Sequence, residues 1–336
     1  MLDKVFTDLV AAQGESAPDD GWFRSAWREL DHLGLVHFTT PEEEGGSGAS
    51  WLDCFALHRA AARHGVQLPL GDHDVLGRWL AARLGIDCRH EVVVVGWTRM
   101  HGGDVVVEAP WGRYADRVLV VAPGRDGMAS VSVHVAQELS WEHGANLAGH
   151  PRDRAKDITL TNTSTALPGS VTDALRLRGA LLRSAQICGA LERSVQEAVA
   201  HARLREQFGR RLIDFQAVQS LLAGAAEEAE LARAATMAAV HEATKADGDL
   251  SRVRGHVAVA KSCTAHAVGP VTRKVHQVLG AIGTTKEHDL HKFTLPALAW
   301  RTEYGGAAEW NAVLAAAVRK DGLLAAWRAQ LDGRKV

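Results

Sequence analysis

The sequence predicts an α+β protein that is mostly α, with its elements in the order helices, sheet, helices. Three observations carry this. Apolar residues recur at three- and four-residue intervals from Leu2 to about Leu84, the period of a helix face. Short β-branched runs then crowd between Glu91 and Asn162. From Val171 onward the texture is rich in Ala, Leu, Arg and Glu, and Val171 to Ala202 holds no proline. At 336 residues the chain is too long for one ordinary core, so we expect modest units at 1–88, 89–165 and 166–336.

The N-terminal helices show in Leu2, Val5, Phe6 and Leu9, and again in Leu52, Phe55, Leu57 and Ala61. Between them "TTPEEEGGSGAS" reads as a loop, since Pro41, Gly45, Gly46 and Gly48 stop one helix before the next. The runs "EVVVVGW", "DVVVEA", "RVLVVA", "ASVSVHV" and "DITLTN", parted by Gly, Pro and Asp, predict a small sheet or barrel. Helical texture resumes from Glu206 to Ala246 and from Ser251 to Leu279. Within "RLREQFGRRLIDFQAVQ" at 203–219, a helix would align Leu204, Phe208, Leu212, Phe215 and Gln219 on one packed face and turn Arg203, Arg210 and Arg211 elsewhere. The order is not the alternating β-α-β of a dinucleotide fold. No GxGxxG follows a strand, and "GAIGTTK" lacks the spacing of a phosphate loop.

With 38 Lys+Arg against 40 Asp+Glu and a formal charge of -2, no global field recruits nucleic acid or an anionic membrane. Cys54, Cys88, Cys188 and Cys263 sit far apart with no CxxC pair, which points to buried thiols in a reduced compartment. The opening "MLDKVFTDLVAAQGESAPDD" has no signal-peptide core, and no segment reaches eighteen uncharged apolar residues. The expected location is the cytoplasm, with no membrane partner.

Two motifs carry a resemblance. Arg205-x-x-Phe208-Gly209, followed by Gln216, and "QVLGAIG" with Gln277, Val278, Gly280 and Gly283 resemble the motifs of the acyl-CoA dehydrogenase family. "PEEEGGSGAS" resembles the family's N-terminal Pro-Glu-Glu-Tyr-Gly-Gly loop, and "APWGRYADRVLVVA" resembles a run of its short actinobacterial-type members, including subunits of steroid side-chain dehydrogenases. The resemblance implies an N-terminal helical domain, a β middle domain and a C-terminal four-helix-bundle domain that dimerises. It also implies FAD as cofactor and α,β-desaturation of an acyl-CoA-type thioester. Arg205 would meet the FAD diphosphate of a neighbouring subunit, a task suited to a planar guanidinium. Gln216 and Gln277 would meet the adenosine or ribityl side, with Phe208 and Val278 in the same motifs. Gly280 and Gly283 would let the backbone come close to the dinucleotide.

The resemblance also demands a carboxylate to take the α-proton. Its commoner place falls at "TEYGGAAE", where Glu303-Tyr304 reverses the family's Tyr-Glu order. A one-residue slip turns a side chain by about 100° on a helix, so Glu303 is the candidate base without the family's aim. Tyr304 is a poor base, with an ordinary pKa of about 10. The second place falls near Gly179, where "RLRGALLRSAQ" holds no carboxylate and Asp173 is the nearest. The ring-holding Thr-Glu-Pro…Gly-Ser-Asp stretch is replaced by "VVVVGWTRMHGGDVVVEAPWGRYADRVLVVA".

The face offered to a partner's FAD is kept while the chain's own ring side is weak. Among the family's short two-gene members, a chain carrying the base pairs with one lacking it in a heterotetramer. The expectation is a subunit that completes a flavin site in trans with a related catalytic chain. The alternatives are a divergent homodimeric flavoenzyme of a biosynthetic pathway that uses Glu303, and a flavin-free structural or interaction subunit. No metal is expected: "EHDLH" at 287–291 is ordinary in such a family, and His134, His143 and His150 share no spacing. Trp97, Trp111 and Trp141 read as core and interface packing ahead of an acyl surface. No GxSxG elbow supports a serine hydrolase.

Overall fold

The computed structural model describes residues 1–13, 19–101, 104–124, 127–156, 164–322 and 325. It divides into two compact units. One joins Met1–Ala11, Trp51–Val66 and Ala180–Val336; the other joins Ala12–Ser50 and Gln67–Gly179.

The second unit is built on a seven-stranded sheet. Its strands are β1 (Val93–His101), β2 (Asp104–Pro110), β3 (Arg117–Pro123), β4 (Met128–Val135), β5 (Trp141–Glu142), β6 (Arg152–Ala155) and β7 (Thr165–Pro168). They lie in the order β5-β6-β2-β1-β3-β4-β7, and β1 with β3 is the parallel pair. Val93, Val94 and Val95 are buried in succession, the pattern of a central strand covered on both faces. The predicted strands at "EVVVVGW", "DVVVEA", "RVLVVA" and "ASVSVHV" form β1 to β4. The predicted strand at "DITLTN" lies outside the described residues. Trp111 is buried in an aromatic stack with Phe23 and Tyr114, at centroid separations of 6.1 and 5.8 Å.

Helix α2 (Asp20–His32) begins on Asp19, whose carboxylate accepts the Trp22 N–H at 2.7 Å. Beyond the loop at 39–50, Asp72–Arg78 forms a π-helical turn that runs into α4 (Trp79–Arg83). This turn buries polar groups as well as apolar ones. His73 Nδ1 accepts the Val93 N–H at 3.0 Å, and Asp74 accepts the Thr39 N–H at 3.0 Å. Arg178 donates from Nε to the Val75 carbonyl at 2.8 Å. Each bond answers a backbone or side-chain group that burial would otherwise leave unpaired. Burial pushes the Asp74 carboxyl up to about 6.

The first unit is helical: α1 (Leu2–Gln13), α3 (Trp51–His64), α6 (Gln216–Lys245), α7 (Arg254–Leu279), α8 (His291–Trp300), α9 (Ala307–Asp321) and most of α5 (Ser170–Leu204). α6 and α7 pack as an antiparallel pair, fastened where Lys274 Nζ donates to the Gly224 carbonyl at 2.8 Å. Their seam is small-residue packing: Ala225, Ala229 and Ala232 against Val268, Val271 and Val275. Among the described residues no helix is long and apolar enough to cross a membrane.

The stretch 203–219 corrects the helical reading. α5 ends at Leu204, and a two-strand ribbon follows, β8 (Glu206–Gln207) and β9 (Arg210–Arg211), before α6 opens at Gln216. Phe208 and Gly209 occupy the turn with φ of 53° and 76°, the sign that a two-residue type I′ hairpin needs at both positions. The predicted packed face therefore breaks up. Leu204 and Phe208 are 84% and 92% exposed, whereas Leu212 and Ile213 turn onto the helical core.

Candidate functional site

Arg205 leaves the end of α5 with its N–H still bonded to the His201 carbonyl at 2.9 Å, and its carbonyl accepts the Leu212 N–H at 2.8 Å. Both ends of the hairpin are thus tied to backbone. The Arg205 side chain is exposed and makes no hydrogen bond or ion pair among the described residues. Gln216, the first residue of α6, and Gln277, near the end of α7, are also exposed and unengaged among those residues. Because α6 and α7 run antiparallel through the Lys274–Gly224 contact, the start of one lies beside the end of the other. Leu212 and Ile213 share one core with Val278 and Leu279, so hairpin exit, α6 start and α7 end converge.

The two glycines differ in kind. Gly280 closes α7 with φ 64° and ψ -141°, a conformation essentially reserved for glycine, and its missing Cβ faces open space. Gly283 is buried, and a Cβ there would come within 2.8 Å of the Leu279 Cβ. Val278 is 5% exposed and serves the core. Among the described residues, this end of the bundle thus offers a free guanidinium, two free amides and an uncovered glycine backbone. Such a set fits a diphosphate with flanking ribose hydroxyls.

Glu303 stands in a different setting. It follows α8 in a turn fixed at Tyr304, whose φ is 57° and whose carbonyl accepts the Trp310 indole N–H at 3.1 Å. Glu303 Oε2 accepts from Arg183 Nε at 2.7 Å; the Arg183 side chain is 2% exposed and that of Glu303 19%. Arg183 Nη1 also donates to Gln186 at 2.7 Å, and the guanidinium lies 5.7 Å from the Tyr304 ring centre. Behind them Lys261 Nζ donates to the Trp300 and Arg301 carbonyls at 2.8 and 3.1 Å. Two buried basic side chains therefore clamp the turn, and burial lowers the Lys261 ammonium to about 7. His58, buried beside this group, is pushed down to about 3 by desolvation and by Arg183.

Residues 177–318 match the acyl-CoA dehydrogenase C-terminal domain. Over those residues the chain is similar to the acyl-CoA dehydrogenase family. It is 28% identical over 307 residues to the acyl-CoA dehydrogenase FadE34 of Mycobacterium tuberculosis, covering 88% of this chain and 42% of FadE34. It therefore spans less than half the length of that relative. With the acyl-CoA dehydrogenase IpdE2 of the same organism it is 25% identical over 304 residues, covering 87% of this chain and 88% of IpdE2. A chain of the ChsE4-ChsE5 complex from Mycobacterium tuberculosis superposes with a TM-score of 0.78 at 22% identity, over 95% of this chain and 96% of that one. That likeness establishes the acyl-CoA dehydrogenase fold.

Three features of the chain are not legible in its sequence. Arg183 stands one turn beyond Gly179, yet nothing local ties it to Glu303, 120 positions away. Lys261 lies in a plain helical stretch where a buried lysine carries no mark. The polar π-turn at 72–78 follows from pairing with β1, which local pattern does not encode. In the "EHDLH" run, the Leu290 N–H donates to His288 Nδ1 at 3.0 Å, while His291 Nδ1 meets the His288 carbonyl at 2.9 Å.

Proposed function

We propose that this chain is the supporting subunit of a flavin-dependent acyl-CoA dehydrogenase, completing a partner's FAD site without contributing the catalytic base. One observation carries the reading: Glu303, the carboxylate next to the family's base position, is engaged by the buried Arg183 at 2.7 Å. The residues at the two base positions, Tyr304 and Gly179, are not acids. The unengaged Arg205, Gln216 and Gln277 support retention of a cofactor face, because a purely structural subunit has no use for an open diphosphate contact. The two-chain nature of the ChsE4-ChsE5 complex agrees with a heteromeric assembly.

In this reading Arg205 holds the diphosphate, Gln216 and Gln277 hold the flanking hydroxyls, and Gly280 lets the backbone approach. FAD, when bound, supplies the acceptor for the substrate's β-hydride. Proton removal from the thioester's α-carbon falls to the partner chain, and Arg183 keeps Glu303 out of that step. The substrate class is an acyl-CoA-type thioester.

The visible spectrum and native mass test this, with the chain purified alone and co-expressed with an acyl-CoA dehydrogenase-like partner. A colourless isolated chain and a yellow, active heteromer are expected. A yellow homodimer that oxidises acyl-CoA by itself refutes the supporting role, and a colourless heteromer refutes the flavin role.

A further inference from the structure

Along the end of α5, Arg193, Glu197, His201 and Arg205 stand four residues apart and form one row. The first two engage each other, Arg193 Nε lying 2.7 Å from Glu197 Oε1. Glu197 Oε2 also faces His288 Nε2 at 4.0 Å. His288 Nδ1 accepts the Leu290 N–H, so its neutral ring carries the proton on Nε2, toward Glu197. The last two members of the row are free among the described residues. The His201 ring packs edge-on against His288 at 6.2 Å and 77°, which fixes its plane. Neither ring nitrogen makes a hydrogen bond among the described residues. One turn further on is the open guanidinium of Arg205.

We propose that His201 is a second ligand of the anion held by Arg205, donating from its ring to a diphosphate oxygen while His288 and Glu197 set the ring's orientation. This rests on the reading of Arg205 as the diphosphate residue. From its own helix Arg205 acts on His201, and Glu197 stands one turn back in the row. From the turn at 285–290 it is His288, with Lys286, Glu287 and Asp289 exposed nearby. Desolvation, then His288, then Arg205 hold His201 below the ordinary imidazole range, which favours a neutral ring before an anion binds. An anion on Arg205 cancels that cation's repulsion and adds attraction of its own, so binding draws a proton onto His201. A hydrogen bond to a charged group is strong enough to matter at the level of roughly tenfold in affinity.

The test is calorimetric titration of ADP, FAD and adenosine into the co-purified heteromer after its flavin has been removed, in two buffers of different ionisation heat between about pH 6 and 8. Expected for ADP and FAD is proton uptake with affinity falling about tenfold across that range, and no uptake for adenosine, which lacks phosphates. His201→Gln, which keeps a donor but cannot titrate, abolishes the uptake and weakens binding about tenfold at the acid end of the range. Its thermal melt is unchanged. If ADP binding needs Arg205 but His201→Gln leaves affinity and proton uptake intact, His201 is no ligand and the flavin reading survives. If Arg205→Ala binds ADP and FAD as well as the parent, or neither ligand binds, both fall.

Discussion

Replacing Glu303 by Gln separates a structural role for this carboxylate from a catalytic one. The Arg183 side chain is 2% exposed and its Nε lies 2.7 Å from Glu303 Oε2. Deleting one partner of a buried pair costs about 3–5 kcal/mol, because the other charge is left uncompensated. Two features reduce that figure here. The substituted amide retains an oxygen for Nε, and Gln186 still accepts from Nη1. The site is also reached by water on the Glu303 side, which is 19% exposed. The expected loss is therefore roughly 2 kcal/mol, read as a lower urea midpoint with unchanged m-value. Arg183→Met with Glu303→Leu, which removes both charges, is expected to recover most of it, giving a coupling energy of about 1.5 kcal/mol or more. In the heteromer, Glu303→Gln turns over acyl-CoA at the parent rate below its melting range. A catalytic base would instead lose about 10²–10⁴-fold. An unchanged midpoint refutes the buried-pair reasoning, and a collapse of turnover in a folded heteromer refutes the supporting role.

Buried charge and backbone geometry lead to three more outcomes. An unfolded aspartate ionises near 3.8 and folded Asp74 near 6, so between them the folded chain binds more protons and stability falls as pH rises. Asp74→Asn keeps an acceptor for Thr39, removes this slope, and raises stability at alkaline pH by roughly 1–2 kcal/mol; equal pH profiles for the two proteins would sink the argument. Lys261 runs the other way: an unfolded lysine holds its proton to 10.5 and folded Lys261 releases it near 7, so stability rises with pH between these values. Lys261→Met flattens that rise, which denaturant melts at the two ends of the window measure. At the hairpin, Gly209→Val must adopt the positive φ of 76° and costs about 1–2 kcal/mol, read as a lower melting temperature; a neutral result would show that the turn is not as described.

Local pattern in the chain is enough to give the kinds of element and most of the residues assigned to the proposed cofactor face. Runs such as Val93–Val95, and the Ala-rich period of α6, report burial directly, because side-chain period and secondary structure share one geometry. Arg205, Gln216, Gln277 and Gly280 are legible because each sits in a short motif whose spacing is local. The hairpin at 206–211 is not, since an apolar three-four spacing looks the same whether the chain continues as helix or doubles back at Phe208-Gly209. The partners of Glu303, Lys261, Asp74 and His201 come from tertiary packing alone. The ion pair of Arg183 with Glu303 joins α5 to the turn after α8, and no local periodicity records a contact between elements so distant in sequence. Burial then sets the chemistry of each group: the same residue types titrate normally in water and depart from it once desolvated against a particular neighbour.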